Sequence, residues 1–254
     1  MKAIRVFIGF DERQRVSFTT LASSIYEHSS SPIAITPLIL RTLPITRRGL
    51  TPFTFSRFLV PWLCDYEGIG IFMDADMLLT SDIGEVAKAL EANHAVAVVR
   101  SIALFEQSSF MAFNCGHESN RKLTPEYIES TDDQLLGLDW VKEDQILDLD
   151  SKWNQLIGYQ QTDEQSGNLH FTMGIPAYKE TSTCDHKDLW EAQLRLATSS
   201  VPWVEIMGRS VHSVEIDGVK LPKYVWDFEK NQPKTEHIDL IKKCLSDKVV
   251  KEAR

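Results

Sequence analysis

The sequence predicts an α/β fold, a mixed sheet flanked by helices with two aspartates at one strand end. Three observations predict it. Short apolar runs, "IRVFIGF" (4–10), "IAITPLIL" (33–40) and "GIGIFM" (68–73), alternate with helical patterns through the first hundred residues, the signature of a layered sheet and helices. Asp74 and Asp76 follow the third run directly. No internal repeat, low-complexity tract or linker divides the 254 residues, so they read as a single domain.

In chain order, the first run is β-branched and closed by Asp11 and Glu12, which suits a buried strand better than a signal peptide. Val16, Phe18, Leu21 and Ile25 recur at helical spacing, and "HSSSP" stops that helix. Pro37 places the second run at an edge or bend. Two prolines, a glycine and three arginines make residues 41–53 a loop, and "TFSRFLVPWLCDY" resumes a helical pattern with Thr54 as its N-cap. "DIGEVAKALEA" reads as a helix, "AVAVVR" and "SSFMAFN" as strands. Signals weaken from 117 to 165. "NLHFTMG" is a last short strand, "HKDLWEAQLRLATSS" a helix, and Ile238, Ile241, Leu245 and Val249 form one helical stripe. The second half suggests antiparallel additions to the sheet.

Composition narrows the function. The formal net charge of -9 argues against a general nucleic-acid binder. Cys64, Cys115, Cys184 and Cys244 form no CxxC pair, which favours reduced thiols in the cytoplasm over disulfides or a zinc knuckle. No run reaches the length of a membrane span. The lysines near the C-terminal stripe, Lys242, Lys243, Lys248 and Lys251, leave room for peripheral membrane contact. Trp190 and Trp203 read as core or lid residues.

On a strand, residues i and i+2 share a face, so Asp74 and Asp76 are expected to present two carboxylates at the carboxyl edge of the sheet. That edge is where open α/β folds bind ligands. Clustered carboxylates repel, and Mg²⁺ or Mn²⁺ offsets the repulsion and in turn holds a diphosphate. Asp148 and Asp150 form a second such pair that ends no continuous apolar strand, so placement carries the information. The alternative is that Asp76 and Asp82 cap turns or the following helix. A strand followed by Asp-x-Asp also opens the haloacid-dehalogenase-type aspartyl phosphatases, but here "MLLT" follows in place of Gly-Thr, and "TDDQ" (131–134) lacks their later metal-loop context.

"TFSRFLVPWLCDYEGIGIFMDADMLLTSDI", then "FNCG" (113–116), "EDQIL" (143–147), "KWN" (152–154) and "HFTMG" (170–174), occur in an order that resembles the glycosyltransferases of GT-A fold, especially family 8 and its bacterial relatives. The resemblance covers roughly residues 3 to 180. It implies a Rossmann-like GT-A domain with a nucleotide and metal half (about 1–115) and an acceptor and closing half (about 116–254). It implies metal ligands Asp74, Asp76 and His170, with Mn²⁺ (or Mg²⁺) bridging the diphosphate of a UDP-sugar. It also implies a donor-binding set of Phe10, Asp11, Arg57, Ala75, Gly174 and Lys179, with Phe10 and Asp11 at the base. Asn114, Asp144 and Gln145 are the implied catalytic residues, Asn114 near the sugars and Gln145 stabilising an oxocarbenium ion during front-face retention. The acceptor is a saccharide or a lipid-linked molecule. Gly174 stands four residues after the histidine and "IPAYK" replaces the family's lysine motif, departures that touch the donor phosphates; the "TRR" loop with Arg47 and Arg48 is solvated unless it closes over the donor. A non-catalytic nucleotide-sugar binder shares most of this pattern. A sugar-nucleotide pyrophosphorylase does not, since its glycine-rich opening loop is absent.

Overall fold

The computed structural model describes residues 3–101, 104–163, 167–198, 213–216, 219–227, 230 and 232–252. They fall into two compact units, residues 1–198 and 199–254.

The first unit is built on a six-stranded mixed sheet. β1 (Ile4–Gly9), β2 (Ile33–Leu38) and β3 (Ile69–Met73) run parallel, with β2 at the edge, where Pro37 costs no internal ladder bond. β4 (Met77–Leu79) leaves this sheet. β5 (Val96–Val98), β6 (Phe110–Asn114) and β7 (Ile146–Asp148) complete it in the order β2-β1-β3-β6-β5-β7. β6 is antiparallel to both β3 and β5.

Strand alternation explains why both faces are buried. Phe7, Phe72, Met111 and Phe113 point to one core, and Val6, Ile8, Ile71, Met73, Phe110 and Ala112 to the other. The second core lies beneath α1 (Arg15–His28), whose Leu21 and Ile25 are fully buried. The expected helix after Thr54 is a 3-10 turn at Ser56–Leu59 running into α2 (Val60–Leu63). Thr54 instead closes a tight turn with Thr51. α3 (Gly84–Ala89), α4 (Leu104–Gln107) and α5 (Pro125–Ser130) are short.

A second sheet, β4-β9-β8, carries the chain back across the end of β3. β8 spans Gln155–Leu156 and β9 spans Asn168–His170. β9 pairs antiparallel with β4, setting His170 opposite Met77. Gly167 opens β9 at φ +94, and a Cβ there would sit 2.1 Å from the Lys152 carbonyl oxygen, so only glycine lets the strand start here. The outer face of this sheet, with Leu78, Leu169 and Phe171, packs on Trp190 of α6 (Lys187–Thr198). Trp190 is therefore a core residue; Trp203 lies outside the described residues.

The second unit contains a hairpin of β10 (Ser213–Ile216) and β11 (Val219–Pro222), a short pair β12 (Trp226–Asp227) and β13 (Gln232–Pro233), and α7 (Ile238–Glu252). Leu221, Val225 and Ile241 form its small core. Among the described residues no helix is long and apolar enough to cross a membrane.

Candidate metal and donor site

Asp74 and Asp76 do not sit on a strand. They occupy the tight turn that joins β3 to β4, and it is this turn that brings them together. The Asp74 amide donates to the Ser109 carbonyl at 2.9 Å, tying the turn to the start of β6, and the Phe171 amide donates to the Asp76 carbonyl at 2.9 Å, tying it to the end of β9. Ligand atoms of Asp74, Asp76 and His170 lie within 4.8 Å of one another. Ala75 between them is buried. Asp82, by contrast, accepts from the Gly84 amide at 2.9 Å and closes the turn that leads into α3, so the turn-capping alternative holds for Asp82.

Each acid has one basic neighbour. Arg57 Nη2 lies 3.1 Å from Asp74 Oδ1, and His170 Nε2 lies 3.3 Å from Asp76 Oδ1. Neither contact is a well-aligned hydrogen bond, and both carboxylate oxygens are buried without one. Arg57 is itself buried, donates to the Ser108 carbonyl at 2.6 Å and stacks 4.7 Å over the Phe72 ring. It is no helix-surface arginine.

A third carboxylate that the sequence reading missed, Glu106, is buried 3.4 Å from His170 Nδ1. Three carboxylates thus face one permanent cation. Burial drives the Asp74 carboxyl up to about 7, with Arg57 opposing the rise and Asp76 adding to it. Burial alone would depress His170, but Asp76, Asp74 and Glu106 outweigh it and raise the imidazole pKa. Buried like charges with unsatisfied oxygens, two carboxylates and one imidazole in reach of a common point: this donor set fits a divalent cation.

β1 lies beside β3 with Ile8 opposite Met73, so Phe10 and Asp11 emerge next to Asp74. Phe10 and Asp11 line a cavity of about 450 Å³ together with Glu12, Arg13, Arg41 and Arg48 among others; Asp74, Asp76, Arg57 and His170 are not part of its lining. That volume suits a small-molecule ligand. Phe10 is held edge-on against Phe18 at 5.6 Å. The Asp11 carboxylate is engaged by its own turn: Arg13 Nη2 donates at 2.6 Å and the Arg13 amide at 2.9 Å, and the Arg13 side chain holds the carboxyl below the usual carboxylate range. Of the "TRR" loop, Arg48 faces the cavity, whereas Arg47 turns away and donates to the Ile128 and Thr131 carbonyls at 2.8 and 3.0 Å.

Gly174, at φ +126, lets the chain fold so that Tyr178 and Thr181 close against it. Lys179 is exposed. Its neighbour Tyr178 is exposed, and burial, then the Asp11 carboxylate, raises its hydroxyl pKa, with Arg13 opposing and Asp76 adding to the rise.

The structure does not bring Asn114, Asp144 and Gln145, the expected catalytic residues, to the acidic cluster. β6 runs antiparallel to β3, with Asn114 opposite Ile69, so Asn114 ends at the edge where β3 begins. Five residues of strand, roughly 16 Å at about 3.3 Å per residue, separate it from Asp74. Gln145 precedes β7 at that same far edge; its carbonyl accepts from the Ala95 amide, and its side chain accepts from Ser119 Oγ at 2.8 Å. Asp144 beside it is exposed. The second acidic pair is also peripheral, with Asp148 and Asp150 both exposed and Asp150 capping the turn at Ser151–Asn154.

Among the residues missed, Glu106 gave no pattern, standing alone in "LFEQSS". Asn154, quoted within "KWN", turns out to contact His170, its Oδ1 lying 2.9 Å from Nδ1.

No family model matches the chain. Protein CDI of Arabidopsis thaliana is 30% identical over 222 residues, covering 74% of this chain and 85% of the relative. Among solved structures, the glycosyltransferase GlyE of Streptococcus pneumoniae TIGR4 superposes with a TM-score of 0.58 at 16% identity, over 82% of this chain and 62% of GlyE. The WbbM bifunctional glycosyltransferase gives 0.56 at 15% identity over 81% of this chain and 51% of WbbM. The chain therefore spans less than two thirds of either. The galactosyltransferase LgtC, solved with donor and acceptor sugar analogs, gives 0.53 at 10% identity over 79% of this chain and 98% of LgtC. At these identities the likeness is one of fold, and the fold is GT-A.

Proposed function

The chain belongs to the family of Protein CDI of Arabidopsis thaliana, and from that premise we propose that it is a glycosyltransferase akin to family 8, moving a hexose from a UDP-sugar to a saccharide or lipid-linked hydroxyl with retention, with Mn²⁺ or Mg²⁺. The carrying observation is the convergence of Asp74, Asp76 and His170 around two buried carboxylate oxygens that lack an aligned donor. Those three side chains would hold the cation, which when bound supplies Lewis-acid stabilisation of the charge that grows on the leaving diphosphate.

The chain's own residues do the rest. Phe10 offers an apolar edge to the base in the cavity beside β1, and Arg48 gives that cavity positive charge, Arg41 being paired with Glu12 at 3.7 Å. Asp11 is already saturated by Arg13, so its part is to fix that guanidinium at the cavity rim. Arg57, anchored on Ser108, favours the ionised form of Asp74 against its burial. Its contribution is to the ligand and not to the donor.

The test is turnover of a panel of UDP-sugars with Mn²⁺ and simple glycoside acceptors. UDP release with a product of retained anomeric configuration supports the proposal, and Asp76→Asn abolishes both. Tight UDP binding with neither transfer nor hydrolysis across the panel points to a nucleotide-sugar binding protein, and nucleotide-independent release of phosphate from simple esters to a phosphatase.

A further inference from the structure

Behind His170, on the side away from the acidic pair, polar groups form a closed collar. His170 Nδ1 lies 2.9 Å from Asn154 Oδ1. Asn154 Nδ2 donates to the Glu106 carbonyl at 2.8 Å and to Ser109 Oγ at 3.1 Å, while Ser109 Oγ donates to that same carbonyl at 2.5 Å. With Nδ2 committed twice, Oδ1 is the atom left for the ring, and the network assigns the hydrogen to His170 Nδ1. The Glu106 carboxylate backs this up. Its Oε1 accepts from Thr172 Oγ1 at 2.6 Å, and its Oε2, buried without a hydrogen bond, lies 3.4 Å from Nδ1. Every neighbour of Nδ1 is thus an acceptor. The lone pair of the neutral ring falls on Nε2, which faces Asp76 Oδ1 at 3.3 Å. A proton or a metal ion fits between two electron-rich atoms at that separation.

We propose that Glu106 and Asn154 are positioning residues that hold the His170 imidazole with Nδ1 protonated and Nε2 turned to the acidic pair, making the site select cations that accept a nitrogen ligand. The inference rests on the metal reading above, and adds to it where selectivity arises. Groups behind a metal-bound histidine that fix its tautomer and orientation are worth about ten- to a hundredfold in metal affinity.

The experiment measures Mn²⁺ and Mg²⁺ affinity of the full chain, with the electron spin-echo spectrum of bound Mn²⁺ as the signature of nitrogen ligation. The intact chain is expected to show a ¹⁴N coupling. Asn154→Leu and Glu106→Leu lose that coupling and about ten- to a hundredfold in Mn²⁺ affinity, while Mg²⁺ affinity, which leans on oxygen ligands, falls less. Asn154→Asp, which keeps an acceptor toward Nδ1, retains the coupling. Folded Leu variants that keep both the coupling and the Mn²⁺ preference overturn the positioning role and leave the metal site standing. Should the Leu variants unfold, the isosteric Glu106→Gln decides: a lowered Mn²⁺-to-Mg²⁺ preference supports the role, and an unchanged one overturns it. If the intact chain binds no metal, or Asp76→Asn binds it equally well, the metal reading itself fails and the positioning role with it.

Discussion

Arg57 Nη2 stands 3.1 Å from Asp74 Oδ1 with the two side chains only 5% and 16% exposed, a buried ion pair at the base of the acidic cluster. Burial lowers the Arg57 pKa and raises that of Asp74, so each charge persists only because of its neighbours. Removing one partner of such a pair strands the other, at a cost of about 3–5 kcal/mol. Arg57→Ala is therefore expected to destabilise the chain by that amount in urea unfolding. Arg57→Ala with Asp74→Asn is expected to recover part of the loss. A single variant as stable as the parent would show that the pair is not held as described.

The pH dependence follows from the same cluster. Asp74, ordinarily near 3.8, is pushed up to about 7, and His170 is raised above its ordinary 6.5. Both bind protons more tightly when folded, so their stabilising contribution is complete below the unfolded pKa and is lost as pH rises through the folded one. Without metal, Tm is expected to fall as pH rises from about 4 to about 7 through Asp74, and further above 6.5 through His170. Asp11 and Asp82, whose pKa values are lowered, act below about pH 4 and stay out of that window. A divalent cation competes with those same protons, so the Mn²⁺-induced rise in Tm is expected to grow with pH across it. An increment that does not change with pH would contradict the ligand assignment.

Gly167 ties β9, and with it His170, to the turn at Lys152. With φ +94 and the Lys152 carbonyl oxygen 2.1 Å from a Cβ built there, Gly167→Ala must move backbone. The variant is expected to lose metal-dependent stabilisation along with overall stability, because the strand that aims His170 shifts. Thermal unfolding with and without Mn²⁺ separates the two losses.

The far edge of the sheet gives the opposite expectation. Gln145→Ala loses hydrogen bonds from Ser119 and the Lys142 amide, about 1 kcal/mol each at most, yet leaves UDP and Mn²⁺ affinity unchanged. So does Asn114→Ala. Calorimetric titration of either variant checks this. A tenfold loss of UDP affinity would restore these residues to the donor site.

What the residues disclosed and what they hid have physical reasons. β1, α1, β3 and β9 were legible because β-branched runs and helical spacing encode burial directly, and the placement of Asp74 and Asp76 after "GIGIFM" marked a sheet edge. Their convergence comes from a turn, which a two-residue spacing on a strand does not describe. That Asn114 ends away from Asp74 was not legible, because nothing in "SSFMAFN" says which way a strand runs; its antiparallel insertion between β3 and β5 sends its end to the opposite edge. Residues 117–163 form short 3-10 turns, one brief α-helix and two short strands, with side-chain caps such as Thr124 on the Tyr127 amide and Asp150 on the Lys152 amide, too brief to show a period. Glu106 is invisible as sequence because its meaning lies in a contact across 64 residues with His170.

The central claim is a metal-dependent hold on a nucleoside diphosphate, and thermal unfolding with a panel of nucleoside diphosphates, each with and without Mn²⁺, tests it most directly. The account predicts that UDP with Mn²⁺ raises Tm by several degrees, that either alone does much less, and that Asp76→Asn erases the joint effect. A UDP shift of the same size without metal, or none in its presence, would contradict it.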